Sequence, residues 1–279
     1  MDSRRVVFAG CGFLGEAAAG LFLRAGWRVF GLCATEESAI RQSAGSFPVR
    51  AADITRKLGV PEGWHSPDLL VHCASSGRGG ADSYRAIYRD GLENVLGAFS
   101  PRRVIFTGST SVYSQADGSL VTEESPAEPL VETGTVLLEA EALALRAGGT
   151  VARLSGLYGP GRSVYLRKFL DGSARLENDR PKWVNQIHRD DAAAAILRLS
   201  DASTPPGIFN VCDDTPCLQS EAYKWIAEFL RRPLPPEGQT DGNPKRGSTN
   251  KRVSNAKLRA TGWRPAFPSY RDALTRGFL

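Results

Sequence analysis

The chain has 279 residues, 42% of them hydrophobic, enough for one large α/β core with a smaller appended lobe and too little for several independent domains. Its net charge of +5 is spread along the chain, with modest basic clusters near Arg102 and Lys251, so a nucleic-acid-binding stripe is not expected. Five cysteines, three of them in strand-like runs, and histidines remote from Cys212 and Cys217 predict a reduced cytoplasmic protein without a metal site, and no apolar run approaches the ~20 residues of a membrane span.

Runs rich in Val, Ile, Leu and Phe predict strands at 5–10, 27–33, 48–54, 69–74, 103–109, 150–157 and 208–212. Dense Ala and Leu without Pro predict helices at 13–25, 83–99, 135–147 and 190–199. Strands alternating with helices imply an α/β fold: a doubly wound parallel sheet of the Rossmann type, covered on both faces, with a smaller C-terminal substrate lobe. Gly159–Arg162 breaks this pattern, and residues 232–251 are rich in Pro, Gly, Asn and Thr, as a long loop would be. Residues 1–157 and 186–212 are therefore expected to form the core, and 158–185 with 213–279 the lobe. The tail from Val253 predicts two short amphipathic helices around a Gly-Trp-Arg-Pro turn.

Gly10-Cys11-Gly12-Phe13-Leu14-Gly15 follows the first strand directly and opens an Ala-rich helix, which is the context the G-x-G-x-x-G fingerprint requires. Gly10 permits the turn, Gly12 lets the backbone approach a pyrophosphate, and Gly15 lets the helix pack on the strand. Gly10, Gly12, Phe13, Leu14 and Gly15 are thus predicted to hold a dinucleotide. The second strand ends in Cys33-Ala34-Thr35, where a carboxylate for the adenosine ribose diol is usual. Glu36 and Glu37 come late, as acids opening a helix do, and Arg41 is a turn further on. Thr35 is the predicted cofactor contact here, and the choice between NAD and NADP stays open, leaning to NADP because no acid repels a 2′-phosphate.

Further motifs occur in order: Ala52-Asp53-Ile54, His72-Cys73-Ala74-Ser75, FTGSTSVY at Phe106–Tyr113, RLSGLYGPGR at Arg153–Arg162 and IHRDDAA at Ile187–Ala193. Together with the glycine loop they resemble the extended short-chain dehydrogenases/reductases, which include sugar-nucleotide epimerases and dehydratases. The resemblance covers nearly the whole chain. It implies adenine contacts at Asp53 and Ile54, cofactor contacts at Ala74 and Ser75, and a substrate-positioning hydroxyl at Ser109. It also implies a Tyr and a Lys four residues apart on the next helix, where this chain has Thr133 and Leu137. A threonine hydroxyl is a far weaker acid than a phenol, and leucine binds no ribose. That combination resembles the atypical extended branch, as do SSGRGG at Ser75–Gly80 and KRVSNAKLRATGWRP at Lys251–Pro265.

If the chain is an enzyme, another acid or base must stand near the strand ends. Tyr113, four residues after Ser109, is the first candidate, a packing tyrosine being the alternative. Tyr84 and Tyr88 share a helix face as a core pair or a cleft wall. His188 precedes an Arg-Asp-Asp helix start as a structural or substrate-shaping residue, and Arg162 and Arg246 flank the expected cleft as carboxylate or phosphate ligands or as solvated arginines. The expected function is an NAD(P)-dependent oxidoreductase or epimerase-like enzyme acting on a small polar or sugar-derived substrate. The competing readings are a non-catalytic dinucleotide-binding or redox-sensing protein and a lyase or isomerase that recycles its hydride. The expected partners are the substrate and a second copy of the chain in a homodimer, with neither nucleic acid nor membrane.

Overall fold

The computed structural model describes residues 3–43, 46–77, 79–177, 181–238 and 249–277. The apolar run β1 (Arg5–Ala9) is buried from Val6 onward and lies inside a seven-stranded parallel sheet, between β4 and β2. The other sheet strands are β2 (Arg28–Cys33), β3 (Val49–Ala51), β4 (Leu69–His72), β5 (Val104–Ser109), β7 (Thr150–Leu154) and β11 (Ile208–Val211). Their spatial order is β11-β7-β5-β4-β1-β2-β3, which reverses direction of travel between β1 and β4. A crevice opens beyond the carboxyl ends at such a reversal, and ligands of doubly wound sheets collect there. The short pairs stand outside the sheet: β6 (Leu120–Val121) with β13 (Arg252–Val253), β8 (Gly156–Tyr158) with β10 (Gln186–His188), and β9 (Trp183–Val184) with β12 (Cys217–Leu218).

Two apolar layers sandwich the sheet. On one face α1 (Phe13–Arg24) packs on α7 (Arg189–Leu199), around Phe8, Phe22, Ile196 and Leu199. On the other, α3 (Ala81–Tyr84), a π-helical segment Arg85–Asp90 and α4 (Gly91–Phe99) run on into one another and pack with α5 (Glu132–Arg146) around Leu70, Leu92, Phe106 and Leu137. The remaining helices are α2 (Glu36–Ser43), α6 (Val164–Leu170), α8 (Gln219–Leu230), α9 (Ala256–Ala260) and α10 (Tyr270–Thr275). A third cluster, around Tyr158, Tyr223, Phe267 and Tyr270, forms the core of the smaller lobe.

All four expected helices are present, and three further ones, α2, α6 and α8, lie where the sequence reading placed none. The stretch expected as one strand over 150–157 is divided: β7 stays in the sheet and β8 turns off to pair with β10. The tail does not stay with the small lobe throughout, since Leu258 and Trp263 are buried beneath the sheet with α1 and α7. The buried Asp191 carboxylate fixes this return by accepting the Ala266 and Phe267 amides at 2.6 and 2.9 Å. Among the described residues no helix is long and apolar enough to cross a membrane, and no group of His, Cys, Asp and Glu could hold a metal ion.

Candidate functional site

One cleft of about 760 Å³ follows the carboxyl ends of β1, β2, β4 and β5 and continues between the sheet and the small lobe. At its floor Gly10 has φ +105°, and a Cβ there would overlap the Ala74 backbone, so the turn out of β1 admits glycine alone. A Cβ on Gly15 would strike the Gly10 carbonyl oxygen, and this close approach seats α1 against the strand end. Gly12 differs: a Cβ there would meet nothing within 4 Å and would stand in the open cleft. Gly12 also begins α1 without any side-chain cap, leaving the first-turn amides and the helix dipole to an anion. The loop therefore fits a pyrophosphate, with Gly10, Gly12, Phe13 and Leu14 on the wall and Gly15 beneath it as a packing contact.

Toward the β2 side, Cys33, Ala34, Ser38, Arg41 and Gln42 line the cleft together with Asp53 and Ile54. The Asp53 carboxyl is held below the usual carboxylate range by hydrogen bonds from the Thr55 hydroxyl and amide, with Arg56 adding its charge. Thr35 is not among the lining residues; its hydroxyl accepts the Ser38 amide at 3.2 Å at the start of α2. Ser38, one turn along, lines the cleft, and its hydroxyl accepts from the Thr35 hydroxyl at 3.0 Å and the Arg41 guanidinium at 3.3 Å.

On the opposite side Ala74, Ser75, Tyr84, Ile87, Tyr88, Ser109 and Leu137 meet. The Tyr84 and Tyr88 rings lie tilted against each other with centroids 4.9 Å apart, Tyr88 within the π-helical segment and Tyr84 just before it, an irregularity found frequently at functional sites. The Ile87 carbonyl is bonded at 3.1 Å by Nε2 of the buried His72, and burial pushes that imidazole down to about 4. Ser109 lines the cleft, and its hydroxyl also accepts the Ser111 amide at 3.2 Å. Thr133 is not among the lining residues, whereas Leu137 is.

Tyr113 is corrected from cleft acid to core tyrosine. It is fully buried, its hydroxyl donates to Asn210 Oδ1 at 2.9 Å, and Arg153 lies 4.9 Å over its ring. Burial raises its phenol above the ordinary value, so it retains its proton. The 3-10 turn Thr110–Val112 between Ser109 and Tyr113 sends the two side chains to different places. His188 takes the structural place open to it: it is buried, is not among the residues lining the cleft, lies with its ring tilted against Phe267 at 4.3 Å, and its Nδ1 caps α7 by accepting the Asp190 amide. Arg162 does line the cleft, with its guanidinium 5.1 Å over the Phe13 ring, while Arg246 lies outside the described residues.

The small lobe contributes residues the sequence reading missed, above all Tyr158, Lys168, Lys182 and Lys251, and Gln186 at the start of β10 joins them. Lys251 is buried and donates to the Tyr113 carbonyl at 2.8 Å, so the tail places an ammonium on the cleft wall close to the Ser109 turn. It stands in the KRVSNAKLR stretch already quoted, which was the available signal. The lining residues comprise five cations, Arg41, Arg162, Lys168, Lys182 and Lys251, and one carboxylate, Asp53.

The family described as NAD dependent epimerase/dehydratase matches residues 6–212. The chain belongs to that family. Protein YeeZ of Escherichia coli K12 is 29% identical over 236 residues, spanning 81% of this chain and 84% of YeeZ. A solved structure from Methylobacillus flagellatus, described as an NAD-dependent epimerase/dehydratase, is 30% identical and covers 99% of both chains with a TM-score of 0.77. MoeE5, solved in complex with UDP-glucose and NAD, covers 97% of this chain and 96% of its own at 19% identity and TM-score 0.76, a likeness of fold. A nicotinamide dinucleotide is the cofactor that accompanies this family, and the capless helix start above Gly12 is where such a group fits.

Proposed function

We propose that this family member is an NAD(P)-dependent oxidoreductase or epimerase-like enzyme that works without a Tyr-Lys dyad on a small, polar, anionic substrate. The observation that carries the reading is one cleft holding the glycine loop, the Ser109 hydroxyl and the buried Lys251 ammonium. A bound nicotinamide supplies a site that accepts or returns hydride. Ser109 positions a substrate oxygen, and Lys251 stabilises negative charge on that oxygen or gives it a proton from a wall shielded from water. Arg162, Lys168 and Lys182 draw an anion into the outer cleft, and the buried Gln186 Nε2, without a partner among the described residues, offers an orienting donor.

The preferred cofactor in this reading is NADP. No carboxylate stands at the end of β2, and the Ser38 hydroxyl and Arg41 guanidinium are already joined there as a 2′-phosphate site would require. Titration with NADPH and NADH, followed by quenching of the tryptophan fluorescence, tests this. Arg41→Ala should weaken NADPH by about tenfold, the value of one charge-assisted bond, and leave NADH unchanged. Equal affinities for both dinucleotides in the wild type would remove the NADP preference.

A second reading, a dinucleotide-binding protein without chemistry, is favoured by Leu137, which presents an apolar side chain on the cleft wall. The two separate in a screen of small keto-carboxylates and carbonyl phosphates for reoxidation of NADPH and NADH. Turnover that Lys251→Met lowers by about a hundredfold with unchanged dinucleotide affinity supports the enzyme. Tight dinucleotide binding without turnover across the screen supports the binding protein.

A further inference from the structure

Three of the five cysteines line the dinucleotide cleft: Cys11 inside the glycine loop, Cys33 at the end of β2 and Cys73 just after β4. Two of them are neighbours. The Gly10 and Cys11 amides both donate to the Leu32 carbonyl, at 3.1 and 2.9 Å, which holds the loop against the residue preceding Cys33. A Cβ on Gly31 would run into the Cys11 sulfur, so that thiol lies over Gly31. Side chains at 31 and 33 project from the same face of the strand, and the Cys11 thiol therefore sits beside that of Cys33. The Cys33 thiol is turned toward the glycine loop, its sulfur 4.0 Å from the Cys11 carbonyl, and it donates to Gln42 Oε1 at 3.3 Å.

The two thiols differ in acidity. The Cys11 side chain, together with the nearby Arg41 charge, outweighs burial and draws Cys33 down to about 7, while the Cys33 side chain and burial push Cys11 well up. Burial drives Cys73 and Cys217 up to about 12 and raises Cys212 as well. A thiolate is the nucleophile in thiol oxidation, so the cleft contains an ionisable attacking thiol with a protonated one beside it.

We propose that Cys11 and Cys33 are a redox-active pair, converted by a hydroperoxide to a disulfide across the glycine loop, and that this disulfide and a bound dinucleotide exclude one another. The proposal rests on the cofactor reading above. In the first step the Cys33 thiolate attacks one peroxide oxygen. An S–O bond forms, the O–O bond breaks, and the departing oxygen takes a proton as water or an alcohol, leaving Cys33 as the sulfenic acid. In the second the Cys11 sulfur attacks the Cys33 sulfur, the S–S bond forms and the S–O bond breaks. Hydroxide leaves with the Cys11 proton as water, so two thiols have lost two electrons to one peroxide. The new bond ties Cys11 to the strand end and disturbs the Gln42 side-chain bond to the Cys11 carbonyl, altering the loop that seats the pyrophosphate. Conversely, a dinucleotide lying along Gly12 and Ala34 covers the route to Cys33.

The test treats the reduced full chain with hydrogen peroxide at pH 7 and maps its thiols by peptide mass spectrometry, with and without saturating NADPH or NADH. The expected result is a Cys11–Cys33 cross-link that forms before Cys73, Cys212 or Cys217 reacts and is slowed about tenfold by saturating dinucleotide. Dinucleotide affinity of the cross-linked protein should fall by about tenfold or more and return with dithiothreitol. Cys11→Ser should stop at a Cys33 sulfenic acid that dimedone traps, and Cys33→Ser and Cys33→Ala should form no cross-link. Oxidation that begins at another cysteine, or a cross-linked protein with undiminished affinity, overturns the proposal. Reduced protein that binds neither dinucleotide overturns the cofactor reading and the exclusion with it. A binding-competent protein that forms no Cys11–Cys33 cross-link overturns this proposal alone.

Discussion

Gly12→Ala separates the glycine loop's binding role from its folding role. The backbone at Gly12, φ −88° and ψ −151°, is open to alanine, and the added Cβ has no atom within 4 Å. Loss of chain freedom in the unfolded state gains about 0.4–1 kcal/mol. Alanine is a poorer start to a helix than glycine by a similar amount, so stability should change by less than about 1 kcal/mol. The methyl group nevertheless stands where the pyrophosphate would meet the first amides of α1. Loss of one hydrogen bond to a charged group costs about 1.5–3 kcal/mol, equivalent to about 10- to 100-fold weaker dinucleotide binding. Gly15→Ala should behave oppositely, because its Cβ is forced into the Gly10 carbonyl and neither backbone can yield cheaply, costing about 3 kcal/mol of folding stability. Urea denaturation gives the stabilities and tryptophan quenching by NADPH and NADH gives the affinities. A Gly12→Ala protein that binds as tightly as the wild type refutes the placement of the pyrophosphate.

Four further outcomes test the surroundings of the site. Arg153→Met strands the buried Glu141 carboxylate, which accepts from Arg153 Nη2 at 2.6 Å, and should cost about 3–5 kcal/mol; Glu141→Met with Arg153→Met should recover most of it in a double-mutant cycle by urea unfolding. The His72 imidazole, lowered to about 4 against about 6.5 in an unfolded chain, is neutral in the native protein while the unfolded chain takes up a proton. Stability should therefore be intact above about pH 6.5 and fall by about 1.4 kcal/mol per unit as pH drops toward 4, a slope that His72→Phe should remove in pH-resolved denaturation. Tyr113→Phe should lose about 1 kcal/mol of stability with the bond to Asn210 while dinucleotide affinity holds, and a large affinity loss would return that hydroxyl to the cleft. Asp191→Asn keeps the size of the group that anchors the tail but weakens its bonds to the Ala266 and Phe267 amides; thermal unfolding should show a loss of about 1–3 kcal/mol.

The sequence by itself determined the sheet and its glycine loop, because both are encoded locally. Apolar runs mark buried parallel strands, and Gly10, Gly12 and Gly15 answer backbone demands within one strand-turn-helix unit. Cys33-Ala34-Thr35 likewise showed that no acid ends the second strand, although Ser38 and Arg41, a helical turn later, are the polar groups that reach the cleft. Tertiary structure decided which side chains face one another. Ser109 and Tyr113 are close in sequence, yet a 3-10 turn sends one into the cleft and the other beneath Arg153. Lys251 lies 138 residues from Tyr113, yet it donates to its carbonyl because β13 pairs with β6 and carries the tail back to the cleft. The same holds for Cys11 and Cys33, whose sulfur and carbonyl approach to 4.0 Å because β1 and β2 run side by side in one register. Periodicity reports which face of an element is buried, whereas contacts between distant segments depend on how those faces close on one another, which no local pattern contains.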